Sequence, residues 1–98
     1  MSDPVPYKEF YDEEDGCWIR IFPGDLPVGS MKWHWDEEDR LFEIVEGTSW
    51  EFQKDNELPF KLKPGMGVKV EAGQYHRGIK PEKCEDLVIR MYKTTDKK

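Results

Sequence analysis

The side chains of this chain that are best suited to chemistry are its only two histidines, His34 and His76. Each lies beside a turn, in a segment with the alternating pattern of a strand. Side chains two residues apart on a strand share a face, so His34 and Asp36 are expected to point together. Trp33 and Trp35 are then expected on the opposite face. Imidazole and carboxylate groups are common ligands of divalent metal ions, which makes metal binding the first chemistry to consider.

The elements that must position these side chains are predicted to be strands. Apolar residues recur at period two and are interrupted about every eight residues by Gly, Pro, Asp or Asn, a pattern typical of an all-β sandwich or barrel. Strands are expected at 17–22, 31–36, 40–46, 49–54, 60–63, 67–71, 75–80 and 87–93. Short antiparallel strands of this number favour a jelly roll, which closes or covers its sheet edges.

The length of 98 residues predicts a single domain with one core. We expect this β-barrel domain to occupy residues 16–93. Residues 1–15 are polar, contain prolines and carry an acidic run at 12–15, so they are expected to form an N-terminal arm that lies across a sheet or a partner, or else a disordered start. Residues 94–98 are expected to be a frayed C-terminal tail.

Composition and charge exclude several classes of partner. The net charge is −6 and the basic residues are scattered, which argues against a nucleic-acid partner, because such binding depends on Lys and Arg neutralising phosphates. We find no signal peptide and no apolar run long enough for a membrane span, so we expect no membrane association and a soluble, cytoplasmic protein. Cys17 and Cys84 have no short spacing and are expected to be free thiols.

Two segments, 34–47 and 63–76, resemble the two signature motifs of the cupin superfamily, small β-barrels that often hold a metal ion in the lumen. His34 and Gly47 match the first ligand and the closing glycine of the first motif. Gly65, Gly73 and His76 match the second motif. The resemblance covers roughly residues 29–93 and implies an all-β fold, a double-stranded β-helix or jelly-roll (cupin) barrel.

The ligand set departs from the family's pattern at two places, and one interpretation keeps the metal. Asp36 stands where the family has its second histidine, and Arg40 stands where it has a glutamate. With His34, Asp36 and His76 as ligands, the site would suit iron(II) and would also accept manganese, nickel or zinc. Arg40 would bind a carboxylate of the substrate, and Phe42 would share its lumen face. The resemblance then implies an isomerase, epimerase, lyase or dioxygenase that acts on a small organic acid or sugar derivative.

The second interpretation has no metal. Arg40 would take the place of the cation and pair with Asp36, and the histidines would be neutral residues of the lumen. The chain would then be a module for small-ligand binding or interaction, without a cofactor and without catalysis. The outward-facing Trp33 and Trp35 would be covered by the N-terminal arm or by a second subunit, and we expect a homodimer. The sequence leaves both interpretations open.

Overall fold

The computed structural model of the chain describes residues 7–26 and 31–93, which form strands and no helices. The strands are β1 (Lys8–Asp12), β2 (Cys17–Phe22), β3 (Arg40–Glu46), β4 (Glu51–Lys54), β5 (Phe60–Lys61), β6 (Gly67–Val70), β7 (His76–Ile79) and β8 (Leu87–Lys93). The prediction for the tail, 94–98, lies outside the described residues.

The strands form two sheets in which every pair is antiparallel. One sheet has five strands in the order β1-β2-β8-β3-β6, and the other has three in the order β5-β4-β7. Neighbours in the sheets are often distant in the chain, as in the two-sheet arrangement of a jelly roll. The all-β jelly roll predicted from the sequence is therefore confirmed.

The alternating pattern of β3 builds the wall of the interior. Phe42 and Ile44 are buried and Leu41 is exposed, so the predicted inward face of this strand is confirmed. Large apolar side chains from both sheets complete the core, and Trp50 is buried completely. Its indole Nε1–H donates a hydrogen bond of 3.0 Å to the carbonyl of Glu85, which satisfies the only polar atom of that side chain.

A glycine is required where β3 ends. Gly47 has a φ of 121°, which favours glycine, and a Cβ there would lie 2.8 Å from a side-chain carbon of Leu87. The pairing of β3 with β8 also shifts register between Ile44 and Glu46, so the strand bends just before this glycine. The sequence motif that ends at Gly47 thus has a steric cause.

One predicted strand is not formed. Residues 31–36 were expected to form a strand, but they pair with the rest of the sheet only through an isolated bridge between His34 and His76. Within the predicted arm, β1 pairs with β2 along its whole length, from Lys8 opposite Ile21 to Asp12 opposite Cys17. β1 is an edge strand of its sheet, and charged side chains such as those of Lys8 and Asp12 are typical of sheet edges.

Both cysteines are free thiols, as expected, with Cys17 buried and Cys84 partly buried. Burial also raises the pKa of the Cys17 thiol above its ordinary value. In the described part of the chain, no helix has the length and apolarity to cross a membrane.

Candidate metal and ligand site

The bridge between His34 and His76 brings the two sequence motifs together. The His34 N–H donates to the carbonyl of His76 at 3.0 Å, and the His76 N–H donates back to the carbonyl of His34 at 2.9 Å. The two imidazole rings therefore lie side by side, with centroids 4.2 Å apart and planes at 67°. His76 is buried and His34 is exposed, so one ring lies in the wall and the other at its rim.

Backbone carbonyls hold both rings in the orientation that a metal ligand needs. The Nδ1 of His76 lies 2.8 Å from the carbonyl oxygen of Gln74, and the Nδ1 of His34 lies 3.1 Å from that of Lys32. Because a carbonyl can only accept, each Nδ1 must carry the proton. In the neutral ring the lone pair is then on Nε2. Hydrogen bonding of the second nitrogen in this way is a common feature of metal-bound histidines.

Burial of His76 favours the neutral form of its imidazole. Burial lowers the pKa of His76 below its ordinary value of 6.5, although the hydrogen bond to Gln74 opposes the shift. The ring of Phe52 lies against it, with centroids 5.6 Å apart. A neutral imidazole can donate its lone pair to a metal ion without first losing a proton.

Asp36 completes a set of three ligands. Its Oδ2 lies 3.4 Å from the Nε2 of His76, and one ligand atom each from His34, Asp36 and His76 lie within 4.8 Å of one another. Two imidazole nitrogens and a carboxylate oxygen match the donor set of non-haem iron(II) sites. The residues that the sequence singled out therefore fit a divalent transition metal, and the structure brings all three together.

Arg40 lies beside this set without forming a close ion pair. Its guanidinium nitrogens are 3.8 Å from the Asp36 carboxylate, 3.5 Å from that of Glu38 and 3.6 Å from the sulfur of Met91. Its buried Nε–H has no hydrogen-bond partner among the described residues. A guanidinium with unsatisfied donors can accept a carboxylate in a bidentate arrangement.

The charges around the three ligands do not oppose a cation. Arg40 is outnumbered by the carboxylates of Asp36 and Glu38, which lie within 3.8 Å and 3.5 Å of it. The local charge is therefore about −1, and the repulsion between Arg40 and a divalent ion is offset. A bound divalent ion would leave a net positive charge that favours an anionic ligand.

These residues line a cavity of about 710 Å³ between the sheets, within the size range of small-molecule sites. Phe42 also lines it and packs edge-on against Phe52, with centroids 5.4 Å apart. Both predicted ligand-binding residues, Arg40 and Phe42, thus face the same space as the three candidate metal ligands.

The cavity has a second polar group that the sequence analysis missed. Arg20 on β2 lines the cavity together with Glu9 and Tyr7. One signal was present in the sequence, since Arg20 lies between Trp18 and Phe22 at the period of two that places all three on one face. The sequence gives no corresponding signal for Tyr7 and Glu9, because nothing in residues 7–12 distinguishes a strand that lines a cavity from a polar arm.

The tryptophans of the His34 segment are exposed, as expected, but the predicted alternation of faces is incomplete. Trp33 and Trp35 are 41% and 49% exposed, His34 is exposed as well, and only Asp36 among residues 32–36 is largely buried. The guanidinium of Arg77 lies 4.7 Å above the Trp33 ring, which covers part of that indole.

Comparison with known proteins shows similarity in structure only. No family model and no curated protein matches the sequence. A cupin domain from Bordetella pertussis Tohama I is similar to the chain with a TM-score of 0.59 and 14% identity, over 93% of this chain and 95% of that one.

Two larger proteins have a related structure. The DMSP lyase DddQ from Ruegeria pomeroyi DSS-3 matches with a TM-score of 0.61 and 18% identity, over 79% of this chain. The Fe(II) form of HppE matches with a TM-score of 0.65 and 11% identity, over 89% of this chain. This chain spans only 36% of the lyase and 48% of HppE. Such similarities show a shared fold and leave activity to be argued from the site.

Proposed function

We propose that this chain, which has the cupin fold, binds one divalent transition-metal ion in its lumen and acts on a small organic acid or sugar derivative. The observation that carries the proposal is the convergence of His34, Asp36 and His76, whose ligand atoms lie within 4.8 Å of one another at the wall of a 710 Å³ cavity. Iron(II) suits this donor set best, and manganese, nickel or zinc would also be accepted.

Each residue of the site would have its own role in binding. His34, Asp36 and His76 would hold the ion, and the carbonyls of Lys32 and Gln74 keep the two rings oriented. When bound, the ion would supply Lewis-acid or oxygen-activating chemistry. Arg40 would bind and orient the carboxylate of the substrate through donors that its neighbours leave partly unsatisfied. Phe42 would contact the apolar part of the substrate and exclude water.

Proteins of the same fold support this class of function. One structural neighbour is a DMSP lyase and another was determined with Fe(II). The metal-free alternative requires Arg40 to form the internal ion pair with Asp36, yet the closest approach of the two groups is 3.8 Å. That distance is longer than the 2.7–2.9 Å of a good charge-assisted hydrogen bond.

Metal content is the direct test. Protein purified without a histidine tag is incubated with Fe(II), Mn(II), Ni(II) or Zn(II), desalted and examined by elemental mass spectrometry. We expect about one equivalent of metal in the wild type, a loss of metal in Asp36→Asn, and no change in Glu37→Gln, which alters an exposed neighbouring carboxylate. Absence of metal from the wild type under each condition would refute the proposal.

A homodimer is part of the proposal. Its support is the pair of exposed indoles, Trp33 and Trp35, since exposed aromatic patches commonly mark interfaces. We expect a dimeric mass by light scattering at tens of micromolar, and a monomeric mass when both tryptophans are changed to serine. Leu58→Ser is the control, because Leu58 is 86% exposed and lies at a hairpin tip. A monomeric wild type would remove this part of the proposal.

A further inference from the structure

The lumen has a second charged group at the wall formed by β1 and β2. The Nη2 and Nε of Arg20 lie 2.7 Å and 2.9 Å from the same carboxylate oxygen of Glu9. The guanidinium also lies 4.0 Å above the ring of Tyr7. All three residues line the cavity that contains the metal ligands. The side chains of Arg20 and Glu9 are only 12% and 21% exposed, so this ion pair belongs to the interior.

The strand register separates this group from Arg40. Arg20 pairs with Ile89, and Ile89 pairs with Ile44, which is four residues from Arg40 along β3. With strands about 4.8 Å apart and a rise of about 3.3 Å per residue, the Cα atoms of Arg20 and Arg40 are roughly 16 Å apart along the sheet. Apolar side chains, among them Phe42, line the cavity between them. The lumen therefore has two polar ends and an apolar middle.

The two ends differ in their electrostatics. Glu9 neutralises Arg20 at 2.7 Å, so the pair itself has no net charge to offer a second anion. An arginine has five N–H donors, and its pairing with one oxygen of Glu9 uses only part of that capacity. A neutral group with hydrogen-bonding atoms can therefore bind here without adding an uncompensated charge to a partly buried site.

We propose that the Arg20–Glu9 pair forms a second ligand subsite of the lumen, and that it selects a carboxylic acid whose far end bears an uncharged hydrogen-bonding group such as a primary amide. This inference rests on the proposed function, which places the carboxylate of the ligand at Arg40 and the metal. It assigns β1, the edge strand that carries Glu9, a role in specificity in addition to its role in the sheet.

Straight-chain monocarboxylic acids of four to eight carbons test the selectivity. Each length is used with a terminal amide, a terminal carboxylate or a terminal methyl group, and binding is measured by calorimetry on the metal-free and the Co(II)-loaded protein. We expect that at the best length the amide binds about tenfold more tightly than either relative, because a hydrogen bond to a charged group typically changes affinity by that factor or more.

Two variants separate recognition from folding. In Glu9→Gln the guanidinium is no longer neutralised, so the preference should reverse and the terminal carboxylate should bind more tightly than the amide. In Arg20→Met the three end groups should bind within about threefold of one another, because the donors are gone. Arg90→Met is the matched control, since Arg90 pairs with Asp15 and Glu43 and does not line the cavity. It should keep the wild-type preference.

The outcomes distinguish this inference from the proposed function. Metal stoichiometry is measured first, so a wild type that binds no metal refutes the metal site, while the end-group preference is still measured on the metal-free protein. Equal binding of the three end groups at every length, or no binding of any probe, would overturn the subsite. An amide preference that survives in both Glu9→Gln and Arg20→Met would also overturn it. If Arg20→Met does not fold, the reversal in Glu9→Gln decides.

Discussion

The two polar ends of the lumen are built in opposite ways. At the proposed metal end, the charged groups around Asp36 and Arg40 approach only to between 3.5 and 3.8 Å, and one arginine donor is without a partner among the described residues. At the other end, Arg20 and Glu9 are joined at 2.7 Å. The first arrangement is suited to bind charged groups, namely a metal ion and an anionic ligand. The second is already neutral and is suited to hydrogen bonding.

This difference predicts which substitutions affect ligand binding and which affect the stability of the fold. A preformed ion pair with low exposure contributes to the folded state, because its partners lose a short charge-assisted hydrogen bond when the chain unfolds. Charged groups held at longer distances contribute little to the stability of the fold until a ligand binds between them. We therefore expect substitutions at the metal end to act mainly on binding, and substitutions at the Arg20 end to act on both stability and specificity.

The largest expected effect is on metal affinity. His76→Ala and His34→Ala should each weaken metal binding by more than about 100-fold, since loss of a ligand should exceed the 10–100-fold effect of losing one of its supporting contacts. Arg20→Met should leave metal affinity within about twofold of wild type. Titration with Co(II), followed by its visible spectrum, measures all three. Equal losses in the three variants would show that the two ends do not act separately.

The next largest effect is on stability at the Arg20 end. Glu9→Gln should lower the free energy of unfolding by about 1–2 kcal/mol, because it removes the charge from a short hydrogen-bonded pair that is mostly buried. Urea denaturation followed by tryptophan fluorescence measures the change. Glu13→Gln, at an exposed position in the turn between β1 and β2, is the control and should have no effect.

A smaller stability effect is expected at Arg40. Arg40→Met should cost about 1 kcal/mol or less in the metal-free protein, because its ion pairs are long and its aliphatic stem is retained. The same denaturation assay applies. A loss of about 3–5 kcal/mol would instead indicate a closed buried ion pair with Asp36, as the metal-free interpretation requires.

The smallest expected effect is the response of stability to pH. Because burial lowers the pKa of His76 below its ordinary value of 6.5, the unfolded chain binds a proton more readily than the folded chain. The contribution of His76 is complete above pH 6.5 and is lost as the pH falls from there through the lower folded value. Thermal unfolding of the metal-free protein between pH 7.5 and 5 should show this decline. The decline should be reduced in His76→Gln, and an unchanged decline would assign it to other groups.

Much of the candidate metal site could be proposed from the sequence because its signals are local. The turns at Gly47 and Gly73, and the alternation that places Phe42 and Arg40 on one face, depend on the conformational limits of single residues and on the period of a strand. The resemblance to cupin motifs then placed His34 and His76 in one site. Asp36 followed from its position two residues after His34.

Other features were not predictable because they depend on pairing between distant segments. The strand expected at 31–36 is reduced to one bridge at His34, and beyond it the carbonyl of Asp36 accepts a single hydrogen bond from the N–H of Gly73. β1 becomes a strand through its pairing with β2, although its own composition favours an arm. The alternation along β2 places Arg20 on the inward face. It becomes part of a charged wall only because the pairing of β1 with β2 brings Glu9 and Tyr7 beside it.

The sequence by itself determined the all-β fold, the inward faces of the central strands and the residues that could bind a metal, because these follow from periodicity, turn chemistry and side-chain type. The tertiary structure decided which groups are close enough to act together. It left Arg40 3.8 Å from Asp36 and joined Arg20 to Glu9 at 2.7 Å, although both are pairs of an arginine and a carboxylate. The reason is physical: electrostatic and hydrogen-bond energies depend on distances of tenths of an ångström, which only the packing of the sheets sets.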